Sequence, residues 1–248
     1  MKKKKFLKAY LVILIHVIIG LVILVTTEKL QLPLWINASV LALILFLAIN
    51  LIGTSIFKLK KELLEFWSFK KSPYLIVGII GGAAIGLTPE IVTILIGKAE
   101  FTGQINVDFS ISVILTTFVI VGWEELWFRG LFLNYCNRFL SPINLSLTIG
   151  ALFMLVHALN PEMNLLVSGP GLFFAGALLT ILYFTYRTIW LPLGLHFGNN
   201  FFGSAIEVQN ADDVFLGSDG YLGTIVLALL YLVFVIKLKK TNTNKALI

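Results

Sequence analysis

Apolar residues in this chain gather into long runs, and the polar residues fall into short clusters between them. The runs extend over residues 6–27, 34–57, 74–97, 109 to about 134, 140–159, 172–186, 189–205 and 221–236. A helix needs about 20 mostly apolar residues to cross the hydrocarbon of a bilayer. Within that hydrocarbon only helices and closed barrels pair all their backbone groups. The pattern therefore predicts an all-α integral membrane protein with about eight transmembrane helices, forming a single transmembrane domain over 1–248. The first run exceeds the apolar core of an ordinary signal peptide, and no A-x-A-like cleavage site precedes Glu28-Lys29, so it reads as a retained anchor.

Composition agrees with the pattern. The 248 residues are 58% hydrophobic and 13% charged, whereas a soluble domain carries about a quarter charged residues. Short cytoplasmic loops are enriched in Lys and Arg. With the N-terminus inside, all 19 Lys and Arg except Lys29 and Lys98 fall on the cytoplasmic side. Both termini are thus expected in the cytoplasm, with the acidic loop 207–219 (Asp212, Asp213) outside. The net charge of +6 sits in runs at the ends of apolar segments, which argues for a lipid bilayer as partner and against nucleic acid. Lone Cys136 excludes an internal disulfide. The mixed basic and aromatic stretch 60–70 suits either a helix lying on the cytoplasmic interface or a plain basic loop. Gly78, Gly82 and Gly86, spaced by four, let a neighbouring helix approach closely.

One apolar run continues directly into charge, at Val121-Gly122-Trp123-Glu124-Glu125-Leu126-Trp127-Phe128-Arg129. On a helix Glu125 and Arg129 are i, i+4 neighbours able to pair, while Glu124 points about 100° away. A charged side chain at mid-membrane costs about 2.5–3.5 kcal/mol even on the lenient insertion scale, so such a group marks a polar cavity or a function. Two later runs carry further polar groups: His157 follows Phe153 by one turn, and His196 shares a face with Asn200. Carboxylate, imidazole and carboxamide from three helices could serve one cavity. Isolated His16, and Asn37, Asn50 and Asn144, read as packing or interface residues.

These residues resemble the CPBP intramembrane proteases, which include the type II CAAX prenyl endopeptidases and bacterial bacteriocin-processing or immunity proteins. The family pattern is Glu-Glu-x-x-x-Arg, then Phe-x-x-x-His, then His-x-x-x-Asn or Asp. This chain shows Glu124-Glu125-x-x-x-Arg129, Phe153-x-x-x-His157 and His196-x-x-x-Asn200, in order and each inside an apolar segment. The resemblance runs from about 123 to 200 and implies a catalytic core over about 109–205. It implies peptide-bond hydrolysis in the membrane, with Glu124 as the base that activates water and His157 assisting. It further implies His196 and Asn200 as oxyanion stabilisers, and Arg129 as the group that holds Glu125. Members are often called metalloproteases, and Glu124, His157 and His196 could complete a zinc site with an open water position. No H-E-x-x-H motif is present, so a metal-free glutamate mechanism fits at least as well, and zinc stays open.

The expected activity is therefore an intramembrane endopeptidase acting on a membrane-associated peptide or protein precursor, such as a bacteriocin or peptide pheromone, in a bacterial cytoplasmic membrane. Two rivals remain: a non-proteolytic scaffold or immunity protein that holds a partner through the same fold, and a proton-coupled transporter, which would show matched halves that this sequence lacks. Convergence also needs the helix bearing His157 to stop short inside the membrane. The stretch 161–171, with Pro170 and two glycines, is then expected to be irregular backbone lining the cavity.

Overall fold

The computed structural model describes residues 44, 47, 51–56, 58, 59, 61, 66–158, 163–203, 205–209 and 220–246. The expected spans over 6–27 and most of 34–57, much of the basic-aromatic stretch 60–70, and Asp212 and Asp213 lie outside the described residues. The chain divides into two compact units, Met1–Leu63 with Phe109–Tyr135 and Leu64–Asp108 with Cys136–Ile248. It is mostly helical, and four of the described helices are long and apolar enough to cross a membrane.

The first unit contains α1 (Ile111–Glu125), started by Ser110, whose hydroxyl accepts from the Val113 amide. An N-cap of this kind pairs an otherwise orphaned donor. After Glu125 the winding loosens to a π-helix over Leu126–Leu133. The two halves of this span meet different surroundings. Ile111, Leu115 and Ile120 are exposed, as suits a lipid-facing surface, whereas every residue from Leu126 to Leu133 is buried. A helix apolar and buried all round lies inside protein, not at its edge.

The second unit is built from α2 (Tyr74–Leu95), α3 (Pro142–His157), α4 (Leu165–Tyr186), α5 (Trp190–Phe202) and α6 (Tyr221–Ala246). Between them lie two short strands, β1 (Glu100–Ile105) and β2 (Ile206–Gln209). The tightest contact joins α2 to α5. A Cβ added to Gly78 would overlap the Leu191 carbonyl, one on Gly82 the Leu195 carbonyl, and one on Gly198 the Ile79 carbonyl. At Gly86 it would stand 2.8 Å from Gly203 Cα. Glycines on both partners thus let the two backbones touch, which in lipid, where no hydrophobic force draws helices together, is what makes association favourable. The glycine stripe expected to admit a neighbour therefore receives α5, the helix that carries His196 and Asn200.

The remaining helices are tied by polar groups. The Ser146 hydroxyl of α3 lies 2.9 Å from the Tyr231 hydroxyl of α6 in a buried contact. At one end of the unit the Lys71 ammonium donates to the Tyr186 and Arg187 carbonyls at 3.1 and 2.8 Å, capping the C-terminus of α4. There Trp190 also donates its indole N–H to the Ser68 carbonyl at 2.9 Å, and Lys237 sits 4.8 Å over the Tyr186 ring. Aromatic rings mixed with lysines are the composition of a membrane–water interface. At the other end β1 and β2 pair antiparallel, Glu100 with Gln209 and Ile105 with Ile206, with a bulge between Phe101 and Ile105. Gly103, at φ +83°, supplies the left-handed backbone that this bulge uses. The sequence gives no hint of the sheet, because its strands are a hundred positions apart and outside any apolar run.

Two helices differ from expectation. The stretch 161–171 is helical from Leu165, not irregular: Asn164 accepts from the Leu166 amide at 3.2 Å and starts α4 ahead of Pro170. Pro170 near the helix start forfeits one backbone bond, which the rest of a 22-residue helix tolerates. Helix α6 runs on to Ala246, ten residues past the apolar run, since nothing in its lysine-rich end breaks a helix.

Candidate functional site

Each predicted residue is placed by the local structure of its own helix. In the first unit Arg129 Nη1 donates to Glu125 Oε1 at 2.9 Å, with both side chains fully buried (0% and 1% exposed). The Arg129 guanidinium also lies 5.6 Å from the centre of the Phe128 ring. A buried ion pair is expensive to form and far more expensive to halve. Arg129 thereby fixes both the rotamer of Glu125 and the register of the π-wound turn. Asn134 tightens the same turn, donating to the Arg129 and Gly130 carbonyls at 3.0 and 2.9 Å. Glu124, one residue earlier and half-buried, lies where α-helical winding gives way to π-helical. Such π segments recur at functional sites because they turn side chains out of the ordinary helical register.

In the second unit α3 is only 16 residues long, about 24 Å at 1.5 Å per residue, short of a hydrocarbon layer of about 30 Å. It ends on His157, with Ala158 as its C-cap. His157 Nδ1 is 2.8 Å from the Phe153 carbonyl. A carbonyl oxygen can only accept, so Nδ1 carries a proton and donates it, which leaves Nε2 as the ring nitrogen turned to other partners. The Phe153 ring, 2% exposed, lies 4.5 Å from the His157 ring and 5.6 Å from that of His196. Two imidazoles from different helices are thus held against one buried aromatic ring. His196 is itself buried (7% exposed), while Asn200, one turn on along α5, is exposed.

Asn200 and Asn199 also border an open cavity of about 390 Å³ between α2, α4, α5 and the start of α6. Its walls include Gly86, Ser168, Gly171 and Thr224, and neither His157 nor His196. Sequence reasoning passed over Ser168 and Thr224. It also passed over Glu90, a buried carboxylate on α2 (6% exposed) that continues the series Gly78, Gly82, Gly86 by one more turn. Glu90 could have been found as an acid inside an apolar run; nothing in the sequence marks Thr224.

Zinc requires several donors gathered round one point. Among the described residues neither unit gathers three or more His, Cys, Asp or Glu side chains into such a group. The three residues named for such a site are divided between the units, Glu124 in the first and His157 and His196 in the second.

Comparison with known proteins locates the likeness. Residues 106–202 match the family model for type II CAAX prenyl endopeptidases, Rce1-like. That stretch is less than half of the chain, and it holds all six predicted residues: Glu124, Glu125, Arg129, His157, His196 and Asn200. Uncharacterized protein YyaK of Bacillus subtilis (strain 168) is 38% identical over 82 residues, which cover 32% of this chain and 27% of that protein. No solved structure matches.

Proposed function

We propose that this chain is an intramembrane endopeptidase of the type II CAAX prenyl endopeptidase kind, hydrolysing a membrane-associated peptide or protein precursor with a water activated by Glu124. The observation that carries this reading is the fixing of His157 and His196 against the single ring of Phe153, with the His157 tautomer set by a backbone carbonyl. Immobilised, oriented imidazoles are what acid–base chemistry requires and what helix packing alone does not.

In the proposed reaction Glu124 takes a proton from water, and the oxygen attacks the carbonyl carbon of the scissile amide. His157, through Nε2, helps to orient that water. The negative charge that develops on the carbonyl oxygen is met by donors on His196 and Asn200, the role in which removal of one donor costs about 10²–10³ in rate elsewhere. Collapse of the tetrahedral intermediate breaks the C–N bond, and the proton held by Glu124 passes to the leaving nitrogen. Glu125 takes no proton; with Arg129 it keeps the helix in register. These steps are carried by the chain's own side chains; were zinc held, Glu124, His157 and His196 would be its ligands. The bacteriocin or peptide-pheromone precursors of a bacterial cell membrane are the substrates we favour.

The test compares the peptides released by cells with the gene, without it, and with Glu124→Gln or His157→Ala. A peptide present only with the intact gene, and cleaved by purified protein but by neither variant, supports the reading. If cellular function survives both substitutions, a non-proteolytic binding or immunity role replaces it.

A further inference from the structure

The two-stranded sheet sorts its side chains by polarity. Residues paired across two strands stand on the same face, as do residues two apart on one strand. Phe101 pairs with Val208 and Ile105 with Ile206, so these four apolar side chains share one face. Glu100, paired with Gln209, and Glu207 take the other. The hydrogen bonds agree with that division. Gln209 donates to a Glu100 carboxylate oxygen at 3.4 Å, and the Asn106 carboxamide donates to Glu207 Oε2 at 2.8 Å. Side chains of the polar face are thus tied to one another, whereas the apolar face stands open along β1, with Phe101 47% and Ile105 71% exposed.

What covers that face follows from where the sheet is held. Helix α2 has 22 residues, about 33 Å at 1.5 Å each, enough to cross about 30 Å of hydrocarbon and end at its boundary. The first strand opens at Glu100, just beyond the end of α2 at Leu95, and β2 packs against α2 itself. Ala99 and Ala205, which lead into the two strands, are buried, and the Asn106 amide donates to the Ala205 carbonyl at 2.8 Å. The sheet is therefore fastened at the membrane boundary. Exposed apolar surface runs up to it: Ile76, Val77, Ile80, Ile91 and Leu95 of α2 fall within about 100° of arc at 100° per residue, one stripe facing one apolar phase. Exposed Ile96 carries that surface on toward β1.

Charge limits the depth. Carboxylates and open strand edges are excluded from hydrocarbon, where neither finds a partner, while a contiguous apolar face is unfavourable in water. A sheet with one face of each kind meets both conditions by lying flat at the surface. Amphipathic helices do the same, with their apolar side about 5–10 Å into the headgroup–acyl boundary. A second copy or a bound peptide would also cover apolar surface, but lipid already lies along the stripe of α2 that leads to this face.

We propose that the sheet is an interfacial anchor, its face of Phe101, Ile105, Ile206 and Val208 resting on the acyl chains of the leaflet at this end of the second unit and its face of Glu100, Glu207 and Gln209 meeting water. The inference goes beyond the peptidase reading and does not depend on it.

The test measures which phase each face meets. Full-length protein in phosphatidylcholine vesicles receives one nitroxide, in turn at Phe101→Cys, Ile105→Cys, Glu207→Cys and Gln209→Cys; the unsubstituted protein, whose Cys136 is buried, is the labelling control. Collisions with dissolved oxygen, which concentrates in hydrocarbon, are compared with collisions with a water-soluble nickel chelate. The oxygen-to-nickel ratio should be about threefold or more higher at positions 101 and 105 than at 207 and 209. With the label kept at position 105, Phe101→Glu should lower the ratio about threefold by lifting the strand toward water, and Phe101→Leu should preserve it. Equal ratios on the two faces overturn the proposal, whether both are low, as for a sheet in water, or both high, as for one sunk whole in lipid. Shielding of positions 101 and 105 from both reagents overturns it too: relief on dilution in lipid would name a second copy as the cover, and persistence would name the chain's own residues.

Discussion

The π-wound segment Leu126–Leu133 and the contact of α2 with α5 both bury backbone and side chains completely, and they do it by opposite means. The first fills its surroundings with bulk and charge: Trp127, Phe128 and the Glu125–Arg129 pair are all buried. The second removes side chains altogether, so that glycines of one helix lie on carbonyls of the other. The difference teaches where each element can be altered. A charge pair is a matter of partners, and its cost reappears when one partner goes. A glycine contact is a matter of volume, and even one methyl group is too much.

The largest effect is therefore expected from volume. Gly82→Leu would drive its side chain into the Leu195 carbonyl and should prevent recovery of folded protein in detergent, while Gly81→Ala, where a Cβ would meet nothing within 4 Å, should be neutral. Thermal unfolding followed by the reactivity of the buried Cys136 thiol measures both. Comparable behaviour of the two would break the comparison.

Next comes charge. Arg129→Met takes the guanidinium away from the buried Glu125 carboxylate and should destabilise the protein by about 3–5 kcal/mol, whereas Arg129→Met together with Glu125→Met should regain most of that loss. A double variant no better than the single one would show that the pair acts through more than electrostatics. A catalytic arm sharpens the contrast between adjacent acids: Glu124→Gln should lower turnover about 10²–10⁴-fold with unchanged unfolding temperature. Combined with His157→Ala it should cost little more than either alone, as expected for groups that act as a unit. Full additivity would separate their roles.

Smaller effects follow from the shared ring and from metal. Phe153→Leu should loosen both imidazoles and cost about 10–100-fold in turnover, with only a modest loss of stability. Incubation with EDTA should leave cleavage unchanged; loss of activity restored by zinc would replace the metal-free mechanism.

Much of the candidate site's local geometry and half of the fold could be read from the residues alone. The apolar runs at 74–97, 109–134, 140–159 and 221–236 correspond to helices Tyr74–Leu95, Ile111–Cys136, Pro142–His157 and Tyr221–Ala246, because in lipid the length of an apolar run decides the element. Pairing of Glu125 with Arg129 followed from i, i+4 spacing, a local rule. Start and stop were less legible: Asn164 opens α4 ahead of a proline that suggested broken backbone, a matter of one cap against one lost hydrogen bond. The sheet of Glu100–Ile105 with Ile206–Gln209 was invisible, since its partners are brought side by side only by the helices between them.

What the sequence by itself determined is the solvent and the chemistry on offer: long apolar runs, and within them acids, imidazoles and a carboxamide too costly to bury idly. Tertiary structure alone decided that Phe153 serves two histidines and that the glycines of α2 receive the helix of His196 and Asn200. The physical reason is range. Periodicity and insertion cost act within one helix and can be counted along the chain, whereas contact between helices depends on which faces meet, and spacing along the chain does not record that.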